Sequence, residues 1–393
     1  MANVNTMSFN DVSTLLNNLV TQATGQQALT PTTTAEFVSV GQSALKMGYD
    51  PILNAISQVL SRTIFSTRPY LAKFKGLEMD RQTFGAFTRK LYISDSEWET
   101  DTAFNLPADG QSVDMYKVKR AKVKQLNFYG ANTYKLKTPT YYLTQLDNAF
   151  RNPDELSQFW NMITQNSSDM IEQAKENLCR ALLSNMIAGK NAGDTNNVIH
   201  LLTEYNALTG LELTAQTVYA PENFKPFMQW VFSRIATLSA LMTERSQIFH
   251  INITDYPVER HTPYNMQRVY LYAPLKYQTE MRALADIYHD SYLTYADNET
   301  VNFWQSIKSP DQINIKPVYM DVTGEYKTAE SAQSLSNVFG VIFDKAMLGY
   351  TVINERSLPT PINADGEYWN VFHHFTARYY TDFTENAIVL LLD

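Results

Sequence analysis

At 393 residues, 44% of them hydrophobic, the chain is long enough for two or three compact units and can bury a sizeable core. A formal net charge of −8 argues against a protein whose affinity rests on neutralising phosphates, which needs a basic footprint. The single cysteine, Cys179, excludes an intrachain disulfide, and the sequence carries neither a secretion signal nor a stretch approaching about 18 apolar residues, so neither export nor membrane spanning is expected.

The first 33 residues predict a short amphipathic helix from about Phe9 to Thr21, with Val12, Leu15, Leu16 and Val20 on one face, followed by a Thr-rich stretch. This is an arm rather than a domain. Helical spacing continues from Ala35 to about Ser61, and Asp50-Pro51 marks a helix start within it. Residues 76–139 change character. An outgoing β-rich limb (Thr83–Ile93), a polar tip (Ser94–Gln111) and a returning limb (Val113–Lys137) predict one long hairpin. A two-stranded ribbon has no core and is marginal alone in water, so it is expected to lie on something else, and a neighbouring copy is the natural support.

Asn152-Pro153-Asp154-Glu155 is a helix start, with a capping residue, proline at the first helical position and two acids where the helix dipole favours them. Apolar residues from Leu156 to Met186 carry the helix to an expected stop at Gly189, a rod of roughly 50 Å. From Val198 to about Met320 helices and strands mix, with helices expected at Phe227–Glu244 and Leu275–Ala285 and a strand at Arg268–Ala273. Strands return at Val338–Phe343, Tyr350–Ile353 and Tyr368–Tyr380, with a turn at Asp365-Gly366. The uninterrupted apolar run from Ala387 to Leu392 predicts a buried strand.

Four stretches then point to a family. Val341-Ile342-Phe343-Asp344-Lys345-Ala346-Met347-Leu348-Gly349 is similar to a strand ending in Asp-Lys. Trp369-Asn370-Val371-Phe372-His373-His374 and Arg378 to Asn386 are similar to an aromatic strand and a final turn. Thr33 to Leu45, with Glu36, Val40 and Gly41, is similar to an N-terminal helix. Taken in order, these resemble the Hong Kong 97-type fold of tailed-phage major capsid proteins, nearest to those of small short-tailed phages.

The resemblance implies an α+β fold in five segments: 1–75 as N-terminal arm and helices, 76–139 as the E-loop hairpin, 140–197 as a peripheral domain with its spine helix, 198–336 as an axial domain, and 337–393 as C-terminal strands shared by the two domains. It implies pentamers and hexamers of an icosahedral head enclosing double-stranded DNA. The partners are then further copies of the chain, a portal protein, a separate scaffolding protein and weakly contacted DNA, and assembly takes place in the host bacterial cytoplasm. An encapsulin-type nanocompartment shell shares the fold and stays as an alternative, with a soluble α/β enzyme more distant.

The hairpin supplies the candidate site. Its tip carries Asp95, Glu97, Glu99 and Asp101 around Trp98, and its returning limb carries Lys117, Lys119, Arg120, Lys122 and Lys124. A head-to-tail ring brings one patch to the other's complement on the next copy, whereas a solvated face and contact with nucleic acid are the other two readings. No catalytic residue, cofactor or metal site is expected. His373 and His374 beside Asp382 come nearest, but adjacent strand residues point to opposite faces. Phosphate-cradling and nucleophile motifs are absent from the sequence.

Overall fold

The computed structural model describes residues 9–24, 31–46, 73–79, 88–96, 122–128, 131–137, 141–151, 153–274 and 297–393, and absences noted below concern these residues. The chain opens with helices α1 (Phe9–Thr24) and α2 (Thr34–Lys46). Strands β1 (Thr88–Ile93), β2 (Val123–Phe128), β3 (Ala131–Lys137) and β4 (Tyr141–Tyr142) precede the short helix α3 (Leu143–Ala149). Helix α4 (Pro153–Gly193) leads to β5 (Val198–His200), α5 (Leu201–Thr209) and α6 (Pro221–Thr243). The strands that follow are β6 (Gln267–Tyr272), β7 (Asp297–Val301), β8 (Ile313–Ile315), β9 (Val318–Met320), β10 (Tyr326–Thr328), β11 (Gln333–Leu335), β12 (Val338–Asp344), β13 (Leu348–Pro359), β14 (Tyr368–Trp369), β15 (Val371–Thr381) and β16 (Ala387–Leu391).

The chain divides into two compact units, the first comprising Met1–Gly85, Ala131–Leu178 and Tyr350–Arg378. Within it, α1 buries Val12, Leu15, Leu16 and Val20 at helical spacing, and α2 buries Phe37, so the expected arm helix has its apolar face covered by its own chain. Gly41 of α2 lets Phe150 come close: a Cβ there would meet the Phe150 ring at 3.0 Å. A three-stranded sheet in the order β13-β15-β3 forms the rest, with β15 and β3 antiparallel from Phe372 opposite Lys137 to Arg378 opposite Ala131. The stacked rings of Tyr134 and Phe375, 4.7 Å apart, are one of its cross-strand pairs.

Two expectations need correction here. The returning limb is not one strand of the hairpin, because Ala131–Lys137 leaves the ribbon and pairs with β15 instead. The strand expected from Tyr368 to Tyr380 is broken at Asn370, whose backbone exchanges hydrogen bonds with Thr360 while Tyr368 and Trp369 pair with Tyr142 and Tyr141.

The second unit comprises Ala86–Gly130, Cys179–Gly349 and Tyr379–Asp393. Its centre is a five-stranded sheet in the order β5-β16-β12-β6-β7. The three middle strands, β16, β12 and β6, are buried at every position, which is why Ala387–Leu391, Val338–Phe343 and Val269–Tyr272 read as continuous apolar runs rather than alternating ones. The strand expected from Ala387 lies there, antiparallel to β12 and parallel to β5. Helix α6 begins at Pro221, earlier than expected, because proline suits the first helical position. It buries Phe227, Met228, Val231, Ile235, Leu238 and Met242, and Gln267 at the head of β6 donates to the Ser239 carbonyl at 2.9 Å.

Helix α4 has 41 residues, about 60 Å at the α-helical rise, and runs four residues past its expected stop. Gly189 is not a cap: a Cβ there would lie 2.6 Å from the Phe383 ring, so the glycine makes room for close packing inside the helix. The helix expected at 275–285 and the continuation of helix from 47 to 61 lie outside the described residues.

Candidate intersubunit hairpin

β1 and β2 pair antiparallel with Ile93 opposite Val123, Leu91 opposite Gln125 and Arg89 opposite Asn127. Period-two alternation gives the ribbon two faces. One face carries Lys90, Tyr92, Lys124, Leu126 and Phe128, of which Tyr92, Leu126 and Phe128 are buried. The other carries Arg89, Leu91, Ile93, Val123 and Gln125, all exposed.

The inward face is held by the same unit at three places. At the far end of the stem, the Asp95 amide donates to the Pro257 carbonyl (3.2 Å), and the Asp95 carboxylate accepts from the Glu259 amide (2.7 Å) and pairs with Arg245 (2.7 Å). On β2, the Lys124 ammonium donates to the Thr323 carbonyl and lies 5.9 Å from the Tyr256 ring. Gly324, at φ +78°, forms the turn that brings Thr323 there; a Cβ on it would sit 2.9 Å from Lys124 Nζ and 2.8 Å from Ile253. Phe128 packs against Tyr326 and Tyr380, with ring centroids 6.0 and 5.5 Å away.

The third attachment is a cluster of charges. Lys90 reaches the turn before β16, donating to Asp382 (2.5 Å), to Thr384 Oγ1 (3.0 Å) and to Glu385. Arg260 reaches the same Glu385 oxygen, Oε1, at 3.2 Å and lies 5.5 Å from the Tyr92 ring. Asp382 also accepts the Thr384 amide and hydroxyl, at 2.9 and 2.6 Å, so its carboxylate is oriented by its own turn. Two cations thus face two carboxylates. Burial outweighs the pull of Lys90 and Arg260, and the Glu385 carboxyl sits above the usual carboxylate range.

Of the ten residues singled out in the sequence, three are described. Asp95 and Lys124 have partners within the chain, as above, and Lys122 is exposed, its carbonyl accepting from the Ser94 amide at 3.0 Å. Glu97, Trp98, Glu99, Asp101, Lys117, Lys119 and Arg120 lie outside the described residues. Sequence reasoning missed Lys90, Arg260, Thr384 and Glu385. Lys90 sits on the inward parity of an alternating strand, two positions before Tyr92, and that parity was the available signal.

His373 and His374 do not converge. His373 is buried and shares a 2.5 Å hydrogen bond between its Nδ1 and Ser357 Oγ, whereas His374, next on the strand, is on the other face. No group of three or more His, Cys, Asp or Glu among the described residues is placed to hold a metal ion, and no described helix is long and apolar enough to cross a membrane.

Burial, with the charge of His374 adding to it, lowers the His373 imidazole to about 4. The unfolded chain, with an ordinary histidine near 6.5, therefore takes up a proton that the folded chain refuses until about pH 4. Stability from this group is complete above 6.5 and is lost as pH falls toward 4, by about 3 kcal/mol. Urea unfolding of the wild type and of His373→Leu at pH 7 and pH 4 is expected to show the wild type losing that much more than the variant. Equal losses would remove His373 as the cause.

The profile of the family described as Phi29-like phage major capsid protein matches residues 16–391. Among solved structures, the chain is similar to one in the capsid structure of Staphylococcus phage Andhra, with 11% identity, a TM-score of 0.55, and 84% of this chain and 87% of that chain covered. It is similar to a chain in the structure of head fiber and inner core protein gp22 of native bacteriophage P68, with 12% identity, a TM-score of 0.54 and the same coverage, 84% and 87%. No curated protein matches the chain.

Proposed function

Because the chain belongs to the Phi29-like phage major capsid protein family, we propose that its work is geometric: copies join as pentamers and hexamers, with the hairpin of each subunit reaching the next. It is a major capsid protein of the Hong Kong 97-like α+β fold, a component of the icosahedral shell of the virion. The observation that carries this is the family match over residues 16–391, nearly the whole chain. Neither the nanocompartment shell nor the soluble enzyme finds support beside it.

In this reading the five segments divide the labour. Residues 1–75 tie into the peripheral domain of 140–197, 198–336 surrounds the local five- and six-fold axes, 337–393 threads both domains, and 76–139 spans to a neighbour. The charged tip and returning limb, Asp95 to Asp101 and Lys117 to Lys124, pair across subunits in addition to the ties that Asp95 and Lys124 make at home. A portal protein and a scaffolding protein complete the head, and assembly occurs in the host cytoplasm. The net charge of −8 suits a container that touches packaged double-stranded DNA only weakly, and we assign no catalytic step to the subunit.

Expression of the full chain, followed by sedimentation and cryo-electron microscopy, is expected to give closed shells or five- and six-membered rings. A subunit that stays monomeric at every concentration while holding a small molecule in the 198–336 lobe would overturn the reading.

A further inference from the structure

We infer that His250 is a proton-operated tie: with one ring proton it holds either the 252–258 loop or the turn before β16, and with two it holds both. The ring is buried between those segments, 3% exposed. Its Nδ1 lies 3.1 Å from Asn386 Oδ1, and its Nε2 lies 2.9 Å from the Val258 carbonyl and 3.2 Å from Asn252 Oδ1.

All three neighbours are acceptors, and their surroundings fix them as such. The Val258 carbonyl has no proton to give. Asn252 is oriented by backbone groups that cannot exchange roles, its Oδ1 accepting the Val258 amide at 3.1 Å and its Nδ2 donating to the Gln247 carbonyl at 3.0 Å. Asn386 is oriented from further off. The Thr262 hydroxyl donates to the Asp344 carboxylate at 2.8 Å, so it can only accept from Asn386 Nδ2, at 3.2 Å, and the amide oxygen is left for the imidazole. Asn386, Thr262 and Asp344 are all buried, so bulk water does not replace a missing donor. A neutral imidazole has one N–H and one lone pair. Here it satisfies one side and turns its lone pair on an oxygen at the other, so its two tautomers compete for the two segments. The imidazolium donates from both nitrogens and ends the competition.

Charge acts against that second proton. Burial and the cations Lys190 and Arg260 lower the imidazole from the ordinary histidine value, against the pull of the Val258 carbonyl and Asn386. Lys190 comes from α4 with Asp194 at 3.0 Å, Arg260 is paired with Glu385 at 3.2 Å, and Asp344 stands at the far end of the hydrogen-bonded chain. The ring is therefore singly protonated at neutral pH and takes its second proton below the ordinary histidine range. Because the folded value lies under the unfolded one, this group's share of global stability is complete above the ordinary histidine value and is lost as pH falls through the folded one. Acid thus tightens the tie in folded molecules while it weakens the fold as a whole. The loop carries Pro257 and runs into Glu259, whose backbones hold Asp95, so the state of one buried ring is passed to the end of the hairpin stem.

The test is magic-angle spinning NMR of the isotope-labelled full chain, which reads assembled and free subunits alike and so does not depend on the capsid reading. His250, one of six histidines, is assigned by its loss in His250→Gln or, should that variant not fold, by its correlation with the Asn386 side chain. At pH 7 its ring is expected to show one bare and one protonated nitrogen, and in acid two protonated ones, with a midpoint below that of an ordinary histidine. The resonances of 252–258 are expected to sharpen at least twofold across that midpoint. Asn386→Asp, which sets a carboxylate against Nδ1, is expected to raise the proton affinity of the ring at least tenfold. A ring that keeps a bare nitrogen until the protein unfolds, or both protons up to pH 9, would overturn the proposal, as would resonances in 252–258 that ignore the titration of the ring.

Discussion

Lys90→Met is expected to destabilise the second unit by about 3 kcal/mol and to loosen the hairpin stem by more than the unit as a whole. The variant leaves Glu385 with Arg260 alone and Asp382 with no cation, in a site where their side chains are only 11% and 3% exposed. Removing one partner from a buried ion pair typically costs about 3–5 kcal/mol, because the charge left behind is neither paired nor hydrated. The Lys90 side chain is itself 23% exposed, so water can enter and the lower end of that range applies. Two measurements check this. Urea unfolding gives the global loss, and hydrogen exchange is expected to quicken at least tenfold in 88–93 and 123–128 relative to β12 and β16. The double variant Lys90→Met, Asp382→Asn removes the carboxylate that loses its cation, leaving Arg260 with Glu385, and is expected to recover about half of the loss. A double variant no better than the single one would show that Lys90 acts through packing of its stem and not through charge.

Deleting residues 97–110 and joining the ends through a short Gly-Ser linker is expected to leave the subunit folded and abolish closed shells. This deletion spares Ser94 and Asp95, whose bonds to Lys122, Pro257, Glu259 and Arg245 hold the end of the stem, so a failure to assemble is not a failure to fold. The urea midpoint is expected to match wild type within error, while sedimentation shows free subunits or open fragments. Normal shells from this variant would remove the tip from the interface.

What the sequence disclosed, and what it withheld, follows from the range of the interactions concerned. The middle strands were legible because burial on both faces leaves an apolar run that nothing else explains, as from Ala387 to Leu391 and from Val338 to Phe343. The start of α4 was legible because a proline at its first position and acids in its first turn are local signals. Its end was not: a glycine that terminates a helix and a glycine that admits Phe383 look alike until the partner, 194 residues further on, is known. The ribbon was legible as alternation. Its division was not, since β2 and β3 alternate alike and only the partner strand separates them. The charge cluster was hidden for a related reason. Lys90, Arg260 and the pair Asp382 and Glu385 are polar residues from three places in the chain, each of which would pass for surface.

Separation along the chain also sets an order of events. Lys90 and Asp382 stand 292 residues apart, and the stem's other anchors come from 245–259 and 323–326. Contacts between segments so distant form late, because their loop entropy must be overcome before they contribute anything. The seat for the hairpin therefore does not exist until the strands and turns that build it have come together. A partly folded chain carries the ribbon but cannot aim it. In the assembly proposed above, the stem would then act as a check on completion, admitting to the lattice only those subunits whose folding has finished.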